Sequence, residues 1–460
     1  MEIVKGFEEI DRLHCLPFIK HKWMNASPMD GEEKTEGLSL EAKLGLLDAV
    51  AINVGAIIGA GIFVVIGIAA GVAGSALPVS MLLASVIAFF TAISFIELSS
   101  WRPMEGSIYE YAYQLVSPFC GFLTGWMWIV SNIFAGAAVS IGLAEHLHNL
   151  LPALPTKVLA TIICMFFSAL NLLGVKQSSF VNNILVTAKL LILGFFTFYG
   201  ALYIDPSNFA DFNVFQPGVL YGAFIIFFAY GGFARAVVIA EEVKDARRNV
   251  PKAVLISLVV STIFYLLVGS VAIGLIGANK LAKSDSPLVE AIENTGSPSA
   301  VYLILFGGII AMASVLLTTI LGVSRMVYSM ARRNDLPQKL MKLHSKYRTP
   351  YNAILAVCAV MIFLNLFVDL KNIVTVSIFS MLFCYAMANI SALKLKRPDR
   401  VYPAALPILG IISCLILMVF TIFFAIEAWV TGLLVLALGI ITYWIKENYL
   451  HSLNSQGKDV

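Results

Sequence analysis

Charge is what this chain has least of. Only 13% of its 460 residues are charged, against 59% hydrophobic, and its mean hydropathy is +0.87. A soluble domain carries about 25% charged residues, so that class is excluded and a polytopic membrane protein is indicated. Cysteine is also sparse. Cys15, Cys120, Cys164, Cys358, Cys384 and Cys414 form no CxxC pair, which argues against a disulfide framework or a metal site. The histidines are scattered, and no cofactor is expected. No G-x-x-x-x-G-K-[ST] loop occurs, so a nucleotide-driven motor is not expected. Nor does a catalytic cluster lie near either membrane face, which leaves a membrane enzyme as a weak alternative. Residues 1–43 lack an apolar core followed by a cleavage site. They read as a cytoplasmic extension, with a short amphipathic helix near Ile3–Leu13 and alternative starts at Met24 and Met29.

Long apolar runs are what the chain does have. About 20 apolar residues span a bilayer, and twelve such runs can be counted: 46–72, 77–99, 115–147, 156–174, 180–204, 218–241, 252–278, 299–331, 351–369, 372–393, 404–425 and 427–446. Loops after even-numbered spans carry Arg102; Lys176; Lys244, Arg247, Arg248, Lys252; Arg332, Arg333, Lys339, Lys342, Lys346, Arg348; and Lys394, Lys396, Arg397, Arg400. Loops after odd-numbered spans carry only Lys157, Lys280, Lys283 and Lys371. Positive residues stay inside, so a multi-pass cell-membrane protein with both termini cytoplasmic is expected. The basic loops need no nucleic-acid partner to explain them.

The first span is interrupted. VGAIIGAGIF, Val54 to Phe63, holds Gly55, Gly59 and Gly61. Each glycine weakens a helix by roughly 1 kcal/mol against alanine. Backbone opened at membrane depth survives only where protein buries it or a wet cavity adjoins it. Small residues also allow close helix packing, so one such stretch leaves both readings open. Span 6 carries a matching break at Gly231-Gly232. Spans 1 and 6 each begin a set of five, and five being odd, the second set enters from the opposite side. Matched breaks in inverted halves point to a transporter binding site. The expected fold is therefore an all-α membrane protein with twelve transmembrane helices. It is a 5+5 inverted repeat with discontinuous helices 1 and 6, plus two extra helices. The expected boundaries are 1–43 for the extension, 44–217 and 218–393 for the repeats, 394–449 for helices 11 and 12, and 450–460 for a cytoplasmic tail.

Four motifs in register resemble the amino acid–polyamine–cation transporters, especially the cationic-amino-acid and L-type branches. VGAIIGAGIF is similar to that family's G-x-I-I-G-x-G-I-F. Glu97 with PMEGSIYEY (Pro103–Tyr111) resembles its E…P-x-A-G-G-x-Y-x-Y, departing at Glu105 and Ser107. FAYGGF (Phe228–Phe233) with EEVKDARRNVPKAV (Glu241–Val254), and SRMVYSMARRNDLP (Ser324–Pro337), resemble the ends of spans 6 and 8. The resemblance covers roughly residues 40–400 and implies an amino acid transporter.

Helix ends suit such a substrate, because free amides attract a carboxylate and free carbonyls an ammonium. The amides of Ala60, Gly61 and Ile62 are expected to take the carboxylate. The carbonyls of Ala56, Ile57, Phe228 and Ala229 are expected to take the ammonium, with Gly59 and Gly61 admitting the ligand to the backbone. By resemblance Phe228 is an aromatic gate; packing is the alternative. Gly231 leaves room for the substrate side chain. Asn132 faces the pocket or bonds a neighbouring helix.

Lys189, deep in span 5, is costly in a membrane by at least about 2.5–3.5 kcal/mol. The resemblance puts its ammonium where sodium-coupled relatives hold sodium, bridging span 1 to span 8, with Ser314 as a partner. Burial disfavours its charged form, which suggests a proton-coupling residue. The alternative is a permanent cationic strut in an exchanger or uniporter. Arg235 departs from the family pattern. It either faces the pocket, disfavouring cationic substrates, or forms an ion pair with Glu241 or Glu97. Glu241 and Glu242, with Arg102 and Arg325, suit an inner gate. The function read from these residues is secondary active amino acid transport by alternating access, with proton symport preferred. Sodium-independent exchange or uniport is the alternative, and a non-transporting sensor is a further one. The expected partners are an amino acid, protons and the lipid bilayer. Residues 148–157 hold no cysteine, so no disulfide-linked subunit is expected.

Overall fold

The computed structural model describes residues 42–456, apart from 60, 105, 149–153, 285, 369 and 425. The expected N-terminal helix, Cys15, Ala60 and Glu105 lie outside the described residues. So does the side chain of Phe228.

Helices follow the apolar runs. Span 1 is α1 (Leu46–Ile57), a π-turn at Gly61–Val65 and α2 (Ile66–Ala73). Span 2 is α3 (Leu77–Trp101), and a short α4 (Ile108–Leu115) follows. Then come α5 (Pro118–His148), α6 (Thr156–Leu172) and α7 (Val175–Ala201). Span 6 is α8 (Pro217–Ala229) with α9 (Arg235–Val238). After it run α10 (Ala246–Leu281), the short α11 (Pro287–Glu293), α12 (Pro298–Arg332), α13 (Tyr351–Phe367), α14 (Leu370–Lys394), α15 (Ala405–Phe424) and α16 (Ile426–Gln456). Among the described residues, seven helices are long and apolar enough to cross a membrane, and five shorter apolar ones accompany them. The 35 residues of α12 would extend about 1.5 Å each, so the helix outruns a hydrocarbon core of about 30 Å.

Three boundaries depart from the sequence reading. Helix α10 begins before Pro251, because the Asp245 carbonyl already accepts from the amides of Arg248 and Asn249. Arg247, Arg248 and Lys252 are therefore helical rather than loop residues. Helix α16 runs ten residues past the expected end of span 12, through Gln456, and its Lys446 is anchored on Asp335. Lastly, α4 and α11 are helices that no apolar run announced.

Helix α5 packs on α12 and α14, α3 packs on α8 and α10, and α1 lies against α10, α7 and α12. Large apolar side chains such as Phe198, Leu191, Phe367 and Trp444 are exposed on the outside. Asn53, Glu97, Lys189, Arg235 and Arg325 are buried. That pattern is inverted relative to a soluble domain and suits a lipid surround. In the apolar stretch of α14, 72% of residues are buried; in that of α16, 11%. Helix α14 therefore belongs to the core and α16 to the rim.

Candidate substrate site

The two breaks meet. Helix α1 stops at Ile57, and Ile58 turns to an extended conformation (φ −81°, ψ 99°) while its amide still reaches back to the Val54 carbonyl. Helix α8 stops at Ala229, and turns carry the chain through residues 230–234 to α9. Only glycine permits the contact between them. A Cβ on Gly232 would lie 2.3 Å from the Ala56 carbonyl carbon, and one on Gly61 would lie 2.3 Å from the Ala229 Cβ. Two side chains then fasten the junction. The Tyr265 hydroxyl of α10 lies 2.7 Å from the Ile57 carbonyl and 3.1 Å from that of Ala229. The Asn53 Oδ1 accepts from the Ala236 amide at 2.7 Å.

A cavity of about 60 Å³ opens beside this junction. Of the residues named from the sequence, Ala56, Ile57, Gly61, Asn132, Ala229, Gly231 and Arg235 line it. Gly59 and Ile62 do not. Gly59 packs against Val315, where a Cβ would lie 2.1 Å from Cγ2, and the Ile62 amide donates to the Gly59 carbonyl at 3.2 Å. The Ile62 amide, assigned to a carboxylate, is therefore already engaged. The carbonyls of Ile57 and Ala229, assigned to an ammonium, share the single hydroxyl hydrogen of Tyr265. Sequence reasoning missed Tyr265, and also Trp128, Thr319 and Tyr385, which line the far wall. Tyr385 donates to the Gly231 carbonyl at 2.9 Å. A tyrosine in an apolar run has no local signal; its role depends on the carbonyls another helix leaves free.

Lys189 is wholly buried. Its Nζ donates to the carbonyls of Val54 (3.2 Å), Gly55 (3.1 Å) and Ile58 (2.5 Å), with Ser314 Oγ at 3.4 Å. Ser314 Oγ in turn donates to Asn182 Oδ1 at 2.8 Å. An ammonium has three donors and here meets four oxygens, three of them carbonyls at the end of α1, of which that of Val54 also accepts from the Ile58 amide. No carboxylate pairs with it among the described residues.

Arg235 forms no ion pair with Glu241 or Glu97. Its Nη2 donates to Asn132 Oδ1 at 2.8 Å, and its guanidinium lies 5.2 Å from the Trp128 ring centre. Asn132 thus both lines the cavity and holds a neighbouring side chain. Glu97 Oε1 instead accepts from the amides of Val401 and Tyr402. Glu241 pairs with Arg332 at 3.0 Å at the surface, and Glu242 with Arg325 at 2.5 Å in full burial. Arg102 stays apart, 3.5 Å from Gln114. A further cluster joins residues of the second and fourth motifs, to which the sequence had assigned no role. Glu110 pairs with Arg333 at 2.5 Å, and Asp335 accepts from Tyr109 at 2.6 Å and from Lys446. The Tyr109 phenol is raised above its usual pKa, first by burial and then by the Asp335 carboxylate.

Comparison with known proteins places this geometry in context. The family model described as amino acid permease matches residues 48–456. The chain is 32% identical over 412 residues to an uncharacterized transporter of Mycobacterium bovis, covering 88% of this chain and 92% of the relative. It is 31% identical over 452 residues to a branched-chain amino acid permease of Bacillus subtilis, covering 90% and 95%. It is 29% identical over 420 residues to a mitochondrial cationic amino acid transporter of Arabidopsis thaliana, covering 84% and 68%.

Proposed function

The chain belongs to the amino acid permease family, and from that premise we propose that it carries amino acids across the cell membrane by alternating access at the junction of the two helix breaks. The observation that carries the proposal is the meeting of both breaks beside one cavity. Unsatisfied helix ends are the groups that recognise a zwitterion, and glycines keep them within reach. The α-carboxylate sits at the Gly61 side and the ammonium at the Ala56 side. Tyr265 holds the two ends together and is displaced, or shares its carbonyls, as substrate enters.

The proposed frame is twelve spans in two inverted repeats, residues 44–217 and 218–393, followed by two further helices and with both termini cytoplasmic. The packing supports it. Under such a repeat span 3 exchanges with span 8, span 5 with span 10, span 1 with span 6 and span 2 with span 7. The contact of α5 with α14 then maps onto that of α12 with α7, and α3 with α8 onto α10 with α1; all four are present.

For coupling, proton symport is the reading preferred. A neutral amine has two donors and a lone pair, so a deprotonated Lys189 turns its lone pair towards a carbonyl. Losing the proton loosens the Val54–Ile58 end of the break, which ties protonation to the state of the site. Exchange is the second reading, favoured by the same fourfold oxygen cage, since a permanent ammonium needs no further partner there.

The test is uptake of a labelled amino acid mixture into sodium-free proteoliposomes, with an inward proton gradient imposed and then collapsed. Symport predicts gradient-driven accumulation that Lys189→Ala abolishes. Exchange predicts no response to the gradient, but stimulation by preloaded amino acid. Absence of all flux, with binding retained, overturns transport and leaves a sensor.

A further inference from the structure

Arg235 is 6% exposed and lines the cavity. A guanidinium has five N–H donors and stays charged. Of these, Nη2 reaches Asn132, while Nε and Nη1 have no hydrogen-bond partner among the described residues. The surroundings are built to hold the group. Trp128 covers its face. Gly322 of α12 leaves its space, because a Cβ there would lie 2.6 Å from the Arg235 Cδ and 2.7 Å from Nη1. The polar groups on the cavity wall are Ser131, Asn132, Thr319, Ser377 and Tyr385, and no carboxylate lines it among the described residues. Arg325, buried on the same bundle, has Glu242. A buried charge is retained where it is paired, and an intramembrane one marks a functional site. The partner of Arg235 is thus absent from the wall of the cavity it faces.

We propose that the missing partner is a carboxylate on the substrate side chain, so that this permease selects short acidic amino acids of the aspartate type. The inference rests on the cavity being the transport site. There the α-carboxylate and ammonium already have the helix ends. Arg235 lies four residues after Gly231, and both line the cavity where the substrate side chain has room. Two parallel N–H···O bonds to a carboxylate use Nη1 and the second hydrogen of Nη2, an arrangement that lysine cannot reproduce. A cationic side chain meets like charge in a low-dielectric pocket. A branched apolar one leaves both donors unsatisfied. The small volume favours aspartate over longer acids.

The experiment is competition in proteoliposomes carrying the full chain. Unlabelled aspartate, asparagine, leucine and lysine compete against labelled amino acids, in wild type, Arg235→Gln and Gly322→Ala. Wild type is expected to prefer aspartate to asparagine by at least about tenfold, the scale on which a charged hydrogen-bonding site rejects a neutral analogue. Arg235→Gln is expected to bring that ratio within about threefold. Gly322→Ala, which crowds the guanidinium without removing it, is expected to lower the ratio in the same sense. It serves if Arg235→Gln does not fold. Equal use of aspartate and asparagine by wild type, or preference for leucine or lysine, overturns the proposal while leaving amino acid transport standing. Loss of leucine uptake when chloride is replaced by gluconate, without aspartate preference, assigns Arg235 to a resident chloride and overturns it too. Failure to move any amino acid overturns the transport reading itself.

Discussion

Lys189 and Arg235 are both cations buried at membrane depth, and their surroundings differ in kind. Lys189 is enclosed by three carbonyls and a hydroxyl, and all its donors are engaged. Arg235 uses one nitrogen and leaves two free beside a cavity. The contrast separates two roles that a hydropathy plot cannot. A cation whose donors are met by the protein acts on the protein, here on the end of α1. A cation whose donors are not met is prepared for something the protein does not contain. Arg325 supplies the reference case, since its partner is a carboxylate at 2.5 Å.

Three substitutions sharpen or break this comparison. The largest effect is expected at Glu242→Gln, which leaves Arg325 charged, buried and without its counter-ion. Breaking a buried pair from one side costs about 3–5 kcal/mol, read as a lowered unfolding midpoint in detergent. A change within the error of the melt means the pair is hydrated and is not a lock. Next is Lys189→Met, which takes the ammonium from the carbonyls of Gly55 and Ile58, while that of Val54 keeps the Ile58 amide. At roughly 1 kcal/mol or more for each unsatisfied group, a loss of about 2 kcal/mol is expected on the same scale. Smallest, and opposite in sign, is Arg235→Met measured without substrate. Removing an unmatched buried charge is expected to leave stability unchanged or raise it by about 1–2 kcal/mol. If Arg235→Met destabilises as much as Lys189→Met, the two cations are equivalent and the contrast drawn here fails.

Much of the site was legible before any fold was known. The glycines of VGAIIGAGIF and the pair Gly231-Gly232 announced both interruptions, because glycine's effect on a helix is local. Lys189 and Arg235 stood out as charges in apolar runs. Asn132 was legible as a polar residue in an apolar run, but not that it would accept from Arg235 at the cavity wall. What stayed hidden were the partners. Tyr265 looks like any tyrosine of a membrane helix until two carbonyls are seen to lie beside its hydroxyl. Glu110 and Asp335 stood in quoted motifs, but their pairing with Arg333, Tyr109 and Lys446 joins segments far apart in the chain. Gly59, though part of the motif, serves packing against Val315 rather than the cavity.

By itself, the sequence determined the long apolar helices, the positions of both breaks and the presence of Lys189 and Arg235 inside the bundle. Each of these follows from residue type within a single turn or span. Tertiary structure alone decided which cation is satisfied. That is a count of oxygen atoms within about 3 Å, and here they come from residues distant in the chain: Val54 is 135 positions from Lys189, and Asn132 is 103 from Arg235. A bare apolar pattern carries no record of that count, because it is set by where other helices place their carbonyls.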